Sequence, residues 1–219
     1  MVIDILIQIG LILVTVFMFL VMHNIPQKAF ARYRAYRSRA DTQAKQHFVK
    51  GAQLLSRAQA EAAAGSDNKD AAVALAKSAA EEADKAIAID PKDAASHILK
   101  AIALDLQGFR TSALDSFDVA LSPIAAKSLS SAERGDALFK RAKLKVAMSS
   151  QGERLDSAIA DLVESVKLRN DNAKAYCFLG ECYEKKGMVE EAKAAYESST
   201  KVQPMSAAAA IEALKRLSS

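Results

Sequence analysis

The fold of this chain is decided by the stretch Ala173–Pro204, which reads AKAYCFLGECYEKKGMVEEAKAAYESSTKVQP. Apolar residues recur three or four positions apart on both sides of Gly187, and this spacing is typical of two amphipathic helices. A glycine commonly ends a helix because it adopts a left-handed backbone conformation without steric cost. Pro204 lacks a backbone N–H and cannot continue a helix. The stretch therefore predicts a helical hairpin.

The spacing of individual residues in this hairpin is more specific than its amphipathicity. The first helix carries Y-x2-L-G-x2-Y at residues 176–183, and the second carries A-x3-Y at residues 192–196. This pattern resembles the tetratricopeptide repeat (TPR) family, whose helices carry W-x2-L-G-x2-Y and A-x3-F. Gly180 and Ala192 are small enough to let two helix backbones approach. The resemblance implies a stack of hairpins that binds a peptide or a partner helix in its groove.

Weaker copies of the hairpin precede it in the chain. Each copy has a small residue at the close-approach position, as Gly51, Ala101 and Ala142 show. The sequence predicts four repeats, at residues 44–93, 94–127, 135–172 and 173–206. The tail at residues 207–219 has apolar residues at helical spacing, so we expect a capping helix that covers the last hairpin.

The N-terminal segment differs from the rest of the chain. Val2–Met22 is almost entirely apolar, and its one charged side chain is Asp4. About 20 helical residues cross a hydrocarbon core of about 30 Å. A cleaved signal peptide is the main alternative, but it would have a basic stretch before a shorter apolar run. The pattern predicts an uncleaved transmembrane anchor at residues 1–24.

A basic and aromatic flank follows at residues 25–43, and it predicts a juxtamembrane stalk helix. Positive charge collects on the cytoplasmic side of membrane spans, which predicts a cytosolic C-terminal domain. The apolar density of the span favours the endoplasmic reticulum or plasma membrane, with the mitochondrial or plastid outer membrane as alternatives. A solvated helical stalk is the alternative for the flank. The residues expected to contact a membrane surface are Lys28, Phe30, Arg32, Tyr33, Arg34, Tyr36, Arg37 and Arg39.

The predicted fold class is therefore an all-α, TPR-type α-solenoid of about four helical hairpins plus a capping helix, preceded by one transmembrane helix. The resemblance places a partner-binding groove on the first helix of each hairpin. The alternative is that several of these residues pack between helices or are covered by the stalk or by the insertion in the first repeat. The residues expected to form the groove are Phe48, Leu55, Ile98, Ile102, Leu106, Lys140, Lys143, Val146, Lys174 and Cys177.

Some TPR proteins grip the acidic tails of chaperones with a carboxylate clamp of lysine, asparagine and arginine side chains. Of the corresponding positions in the first three repeats of this chain, only Lys140 has the required character. Moving the alignment by one repeat adds Lys174 but no asparagine. The clamp is therefore not evident, and binding of chaperone tails is not expected.

The charge and the reactive residues argue against other functions. The formal net charge of +4 belongs to residues 1–40, while residues 41–219 are neutral, so nucleic-acid binding is not expected. Cys177 and Cys182 lie five positions apart on one helix and face different directions, which disfavours a disulfide or a shared metal. No catalytic motif is present, and we expect no enzyme activity, cofactor or metal.

These observations predict a membrane-anchored, cytosol-facing scaffold or adaptor that binds a protein or peptide and recruits it to a membrane. Two alternatives remain from the sequence. One is a protein-targeting or import receptor on an organelle outer membrane, and the other is an accessory subunit of a membrane complex.

Overall fold

The computed structural model describes residues 2–22, 25–65, 68–149, 151–204 and 208–218. These residues form α-helices and contain no β-strand. The helices are α1 (Val2–Met22), α2 (Ile25–Ala64), α3 (Lys69–Ile89), α4 (Ala94–Leu106), α5 (Arg110–Ala120), α6 (Ser131–Met148), α7 (Gly152–Leu168), α8 (Ala173–Lys186), α9 (Val189–Val202) and α10 (Ala208–Ser218). A short 3₁₀ helix, Ala125–Ser128, lies between α5 and α6.

Side chains next to the turns set several helix ends. Asp93 accepts hydrogen bonds from the backbone N–H groups of Ala95 and Ser96 at the start of α4. Ser130 and Glu133 form a reciprocal capping box at the start of α6. Gly187 ends α8 in the left-handed conformation with φ of 79°, as its place in the sequence predicts. Local polar residues thus fix where α4 and α6 begin, and Gly187 fixes where α8 ends.

The helices pack as consecutive hairpins. α2 packs on α3, α4 on α5, α6 on α7, and α8 on α9, while α10 packs against α9. Neighbouring hairpins contact each other through α3 and α4, α5 and α6, and α7 and α8. The predicted all-α stack of helical hairpins is confirmed. The boundaries predicted for the individual repeats stay a prediction.

Small residues form much of the core between the helices. Among the residues that the structure describes, most of the buried apolar positions are alanines, and the largest fully buried side chains include Tyr196, Phe117 and Leu162. A Cβ added at Gly180 would lie 2.6 Å from the Tyr196 ring, so glycine is required for that ring to pack here. Alanine and glycine thus let the helices approach, and a few large side chains fill the remaining space.

The predicted membrane location is wrong. No helix within the described part of the chain is long and apolar enough to cross a membrane. The predicted single-pass topology, with a cytosolic C-terminal domain at the endoplasmic reticulum, plasma membrane or an organelle outer membrane, is corrected accordingly.

The basic flank lies in the first half of α2. The side chains of Lys28, Phe30, Arg32, Tyr33, Tyr36 and Arg37 lie outside the described residues. Arg34 and Arg39 are exposed. The assignment of this flank to a membrane surface stays a prediction.

Candidate functional site

Two recesses open on the face formed by the first helices of the hairpins, α2, α4, α6 and α8. The first recess, of about 250 Å³, lies where α2, α4 and α6 meet. Its walls are mainly apolar, with Phe48 from α2, Ile98 and Ile102 from α4, and Leu129 from the connection before α6. These four side chains are half-buried, so each keeps a surface that a partner could cover.

The second recess, of about 320 Å³, lies where α6, α8 and α10 meet. Phe139 of α6 and Phe178 of α8 line it and pack edge to face, with ring centroids 6.2 Å apart and an interplanar angle of 84°. Cys177 also lines this recess, and α10 contributes Ala209 and Ala210. The C-terminal helix therefore helps to form a wall as well as covering α9.

The residues predicted to form one groove are distributed between the two recesses. Phe48, Leu55, Ile98, Ile102 and Lys140 line the first recess. The second recess receives Lys143, Lys174 and Cys177.

Two further predicted groove residues lie in the packing between helices. Leu106 packs against the core cluster of α2, α3 and α4, and Val146 packs against the cluster of α6, α7 and α8. The role of all ten residues in binding stays a prediction.

Several lining residues were missed by the sequence reasoning. Leu129 lies in an irregular connection, where no periodic pattern marks an inward side chain. Phe139 and Phe178 occupy helical positions whose neighbours decide whether they pack or line a recess. A search for aromatic residues on the first helices of successive hairpins would have found both.

Lysine side chains lie beside both recesses. Lys140 lines the first recess, and desolvation lowers its pKa while the nearby charge of Asp136 acts in the opposite direction. Lys143, three positions further along α6, is exposed and lines the second recess, with its Nζ 5.8 Å from the centroid of the Phe139 ring. Lys174 is exposed at the start of α8 and lines the second recess.

Two carboxylates beside the first recess are already engaged. Asp136 forms an ion pair with Arg169 and accepts a hydrogen bond from Asn172 at 3.4 Å. Glu133 accepts from the backbone N–H of Ser130 at 2.8 Å, and hydrogen bonds from Ser130 lower the pKa of Glu133. Glu133 is therefore engaged in the capping box of α6, and Asp136 is engaged in the ion pair with Arg169. Lys140 has no ion-pair partner among the described residues.

A separate buried charge cluster lies between α2 and α3. Glu82 is buried and accepts from Lys85 at 2.8 Å, from His47 Nδ1 at 2.6 Å and from Lys50 at 2.9 Å. These three hydrogen bonds, with that from Lys85 the strongest influence, lower the pKa of Glu82 from 4.5 to about 2. The cluster joins the two helices of the first hairpin, so we assign it to folding.

The lowered pKa of Glu82 predicts an acid-dependent loss of stability. A carboxyl group with a lowered pKa stabilises the folded state above its unfolded pKa, and this contribution is lost as the pH falls through the folded pKa. We expect the Glu82-dependent part of the free energy of unfolding to decline between pH 4.5 and about 2. Urea unfolding across this range measures it, with Glu82→Gln as the comparison. The variant should be less stable at neutral pH and lose less stability on acidification, and parallel pH profiles would contradict the assignment.

The other reactive groups are engaged or have raised pKa values. Burial raises the pKa of the Cys182 thiol to about 11, and burial also raises the pKa of Cys177. His97 Nε2 lies 3.0 Å from the backbone oxygen of Pro91. Across residues 2–22, 25–65, 68–149, 151–204 and 208–218, no group of three or more His, Cys, Asp or Glu side chains could hold a metal ion. The two thiols are thus poorly suited to act as nucleophiles.

Comparison with known proteins identifies the repeat and the fold. A family model described as tetratricopeptide repeat matches residues 173–204. The fold is similar to that of PilF of Pseudomonas aeruginosa, with a TM-score of 0.61 at 17% identity over 81% of this chain and 68% of that chain. It is also similar to MamA, with a TM-score of 0.57 at 14% identity over 80% of this chain and 86% of that chain.

A third solved structure with this fold is YrrB, described as a TPR protein with an unusual peptide-binding site. Its TM-score is 0.51 at 20% identity over 75% of this chain and 74% of that chain. No curated protein matches the sequence. The predicted resemblance to tetratricopeptide-repeat proteins is confirmed by the family model and by these folds.

Proposed function

From the premise that this chain carries a tetratricopeptide repeat within a stack of helical hairpins, we propose that it is a scaffold that binds a protein or peptide. The binding surface is the face that carries the two recesses. The proposal includes a non-enzymatic role, because the thiols have raised pKa values and the histidines His47 and His97 serve contacts within the fold.

The observation that carries the proposal is the first recess. Its apolar side chains come from three elements distant in the sequence, α2, α4 and α6, and a stack of hairpins brings them together. Ile98 and Ile102 lie one helical turn apart and both line the recess, so they form a continuous apolar wall. A pocket of this kind, apolar with a few polar groups at its edge, is typical of sites that hold a side chain of a partner.

The YrrB comparison supports the same interpretation at the level of the fold. That protein is described as having an unusual peptide-binding site, and it is 20% identical to this chain. Identity at this level shows a shared fold, so the residues of the site in this chain must be tested directly.

The proposal predicts binding that depends on the first recess. Peptides selected from a random display library on the full chain should bind Ile102→Glu at least about tenfold more weakly than the original chain, because the change puts a charge in an apolar wall. Val119→Glu on α5 is the matched control, since Val119 is an exposed apolar residue outside both recesses. Fluorescence polarisation with labelled peptides gives the affinities.

Photo-crosslinking supplies a second measurement that leaves the apolar wall of Ile98 and Ile102 unchanged. A photoreactive residue at exposed Lys140 should crosslink to the selected peptides, and one at Val119 should not. Equal crosslinking from both positions, or unchanged affinity in a folded Ile102→Glu variant, would overturn the proposed function.

A further inference from the structure

The helix α1 carries a large exposed apolar surface. Between Ile5 and Met18, eleven large apolar side chains are each 49–65% exposed. Elsewhere in the described part of the chain, exposed apolar residues of this size are scattered, as Val49, Phe109 and Val189 are. Scattered residues are normal on protein surfaces, whereas a continuous apolar surface marks an interaction site. α1 is therefore the helix whose exposed surface most needs a partner.

The polar residues of α1 lie on one side of the helix. At 3.6 residues per turn, Asp4, Gln8 and Thr15 fall within a sector of about 40°. The Thr15 hydroxyl donates to the backbone oxygen of Ile12 at 2.9 Å, so it is satisfied within the helix. We call Asp4, Gln8 and Thr15 the polar stripe. The rest of the surface between residues 4 and 19 is apolar, which is an arc too wide for one neighbouring helix to cover.

The face opposite the polar stripe has the spacing of a contact between helices. Leu6, Gly10, Leu13 and Phe17 are separated by four, three and four positions, and they lie within a sector of about 60°. This alternation of three and four is the pattern with which helices of a coiled coil interlock. All four residues are exposed. We call them the α1 seam.

Gly10 gives an independent reason to expect a close neighbour. A glycine inside a helix lowers the stability of the helix relative to alanine. A Cβ added at Gly10 would meet no described atom within 4 Å, so packing within one copy of the chain does not require a glycine. A second helix that crosses at Gly10 would occupy the space that a side chain would otherwise fill. The glycine therefore favours close contact with another helix at the centre of the seam.

From these observations we infer that α1 joins several copies of this chain. The α1 helices pack side by side, with the α1 seam inside the bundle and the polar stripe facing water. A second copy fits the seam because the seam is uncharged, so identical helices neither repel each other nor bury a charge. This surface is separate from the two recesses, and the inference does not depend on the proposed function.

The area of α1 indicates more than two copies. The side chains of α1 are described from residue 4 to residue 19, a cylinder about 24 Å long and about 10–12 Å wide. The side surface of this cylinder is about 800 Å², and one neighbouring helix covers about half of it at most. A stable interface covers about 800 Å² on each partner. Three or four copies give each helix two neighbours, which covers the apolar arc and leaves the polar stripe exposed.

A bundle of α1 helices would present several stacks of hairpins at once. Each copy carries its own two recesses, so a partner with repeated binding segments would engage several copies. Linked sites of this kind raise the apparent affinity without any new contact. This consequence, unlike the bundle itself, rests on the proposed function.

Sedimentation equilibrium of the full chain measures the number of copies. We expect a defined oligomer of more than two copies that dissociates on dilution. Leu13→Glu should weaken the association at least about tenfold, because the change buries a charge in the apolar seam. The matched control is Thr15→Glu, which adds the same charge two positions away on the polar stripe. The control should keep the oligomer of the original chain.

A second pair of variants tests the close approach at Gly10. Gly10→Leu places a large side chain in the seam and should weaken the association about tenfold. Gln8→Leu places the same side chain on the polar stripe and should not weaken it. Non-specific adhesion of apolar surfaces would instead strengthen in both variants, since both add apolar area. Circular dichroism checks that each variant retains its helices.

Three results of sedimentation would overturn the inference. These are single copies of the full chain at every concentration, aggregates without a defined number of copies, and equal effects of Leu13→Glu and Thr15→Glu. Binding of single copies to phosphatidylcholine vesicles through α1 would overturn it as well. A defined oligomer whose selected peptides bind Ile102→Glu with unchanged affinity would support the bundle and overturn the proposed function.

Discussion

Replacement of Asp161 by asparagine is expected to lower the free energy of unfolding by about 3–5 kcal/mol. Asp161 is buried in α7 and accepts from two groups of α6. Arg141 donates from Nε and Nη2 to its two carboxylate oxygens at 2.8 and 2.6 Å, and Lys145 Nζ donates at 2.7 Å. The change removes the negative charge, which leaves Lys145 without a counter-ion in a poorly hydrated site and leaves Arg141 with Asp118 as its remaining carboxylate partner. Urea unfolding followed by circular dichroism measures the effect.

The matched control for this prediction lies on the same helix. Asp156 is exposed and pairs with Lys186 at 2.6 Å. Since exposed ion pairs contribute about 0–1 kcal/mol, Asp156→Asn should change the free energy of unfolding by no more than this amount. Equal urea midpoints for Asp161→Asn and Asp156→Asn would contradict the assignment of Asp161 as the anion that holds α6 and α7 together.

Replacement of Tyr196 by alanine should produce a loss of similar size, about 3–5 kcal/mol, through a cavity. The side chain is 1% exposed and packs where Gly180 lets α8 approach α9. Burial raises the pKa of the Tyr196 hydroxyl, which therefore stays protonated and donates to Glu184 at 3.1 Å. Removal of the ring leaves a void between two helices and one fewer hydrogen bond.

Tyr196→Phe separates the ring from the hydroxyl. This variant keeps the packing against Gly180 and loses the bond to Glu184, which still accepts from Arg216 of α10 at 2.8 Å. We expect a loss of about 1 kcal/mol, the typical net value of one hydrogen bond. If Tyr196→Phe were as unstable as Tyr196→Ala in urea unfolding, the ring would not be the main source of stability.

The hairpins were predictable because the contacts between the two helices of a hairpin involve residues at regular spacing in the sequence. Gly180 and Tyr196 are sixteen positions apart in the sequence, yet the repeat pattern places them opposite each other. Gly187 marks a turn whose left-handed conformation suits glycine. A repeated unit needs the same close approach in every copy, so weak copies could be recognised once the clearest one was known.

The details of the candidate site could not be predicted to the same degree. Lys140 and Lys143 share one side of α6 by helical spacing, but the helices on either side of α6 decide that they belong to different recesses. Leu129 enters the first recess from an irregular connection, where no period fixes the direction of a side chain. The partners of Asp161 lie on another helix, and nothing in the local sequence distinguishes it from an exposed acid such as Asp156.

The membrane prediction failed for a different reason. It rested on the apolar composition of one segment, Val2–Met22, as the sequence prints it. The described part of the chain contains no helix with the length and apolar character that a membrane span needs.

Arg141 has a consequence for the mechanics of the stack. Besides its two bonds to Asp161, its guanidinium donates to Asp118 of α5 at 2.8 Å, so one planar group is bonded to both the second and the third hairpin. A planar fork held on two sides resists twisting of one hairpin against the next. The first recess lies across this joint, between α4 and α6. Because the recess is already formed, a ligand does not have to order it on binding, and the residence time of the ligand should depend on how well it fits.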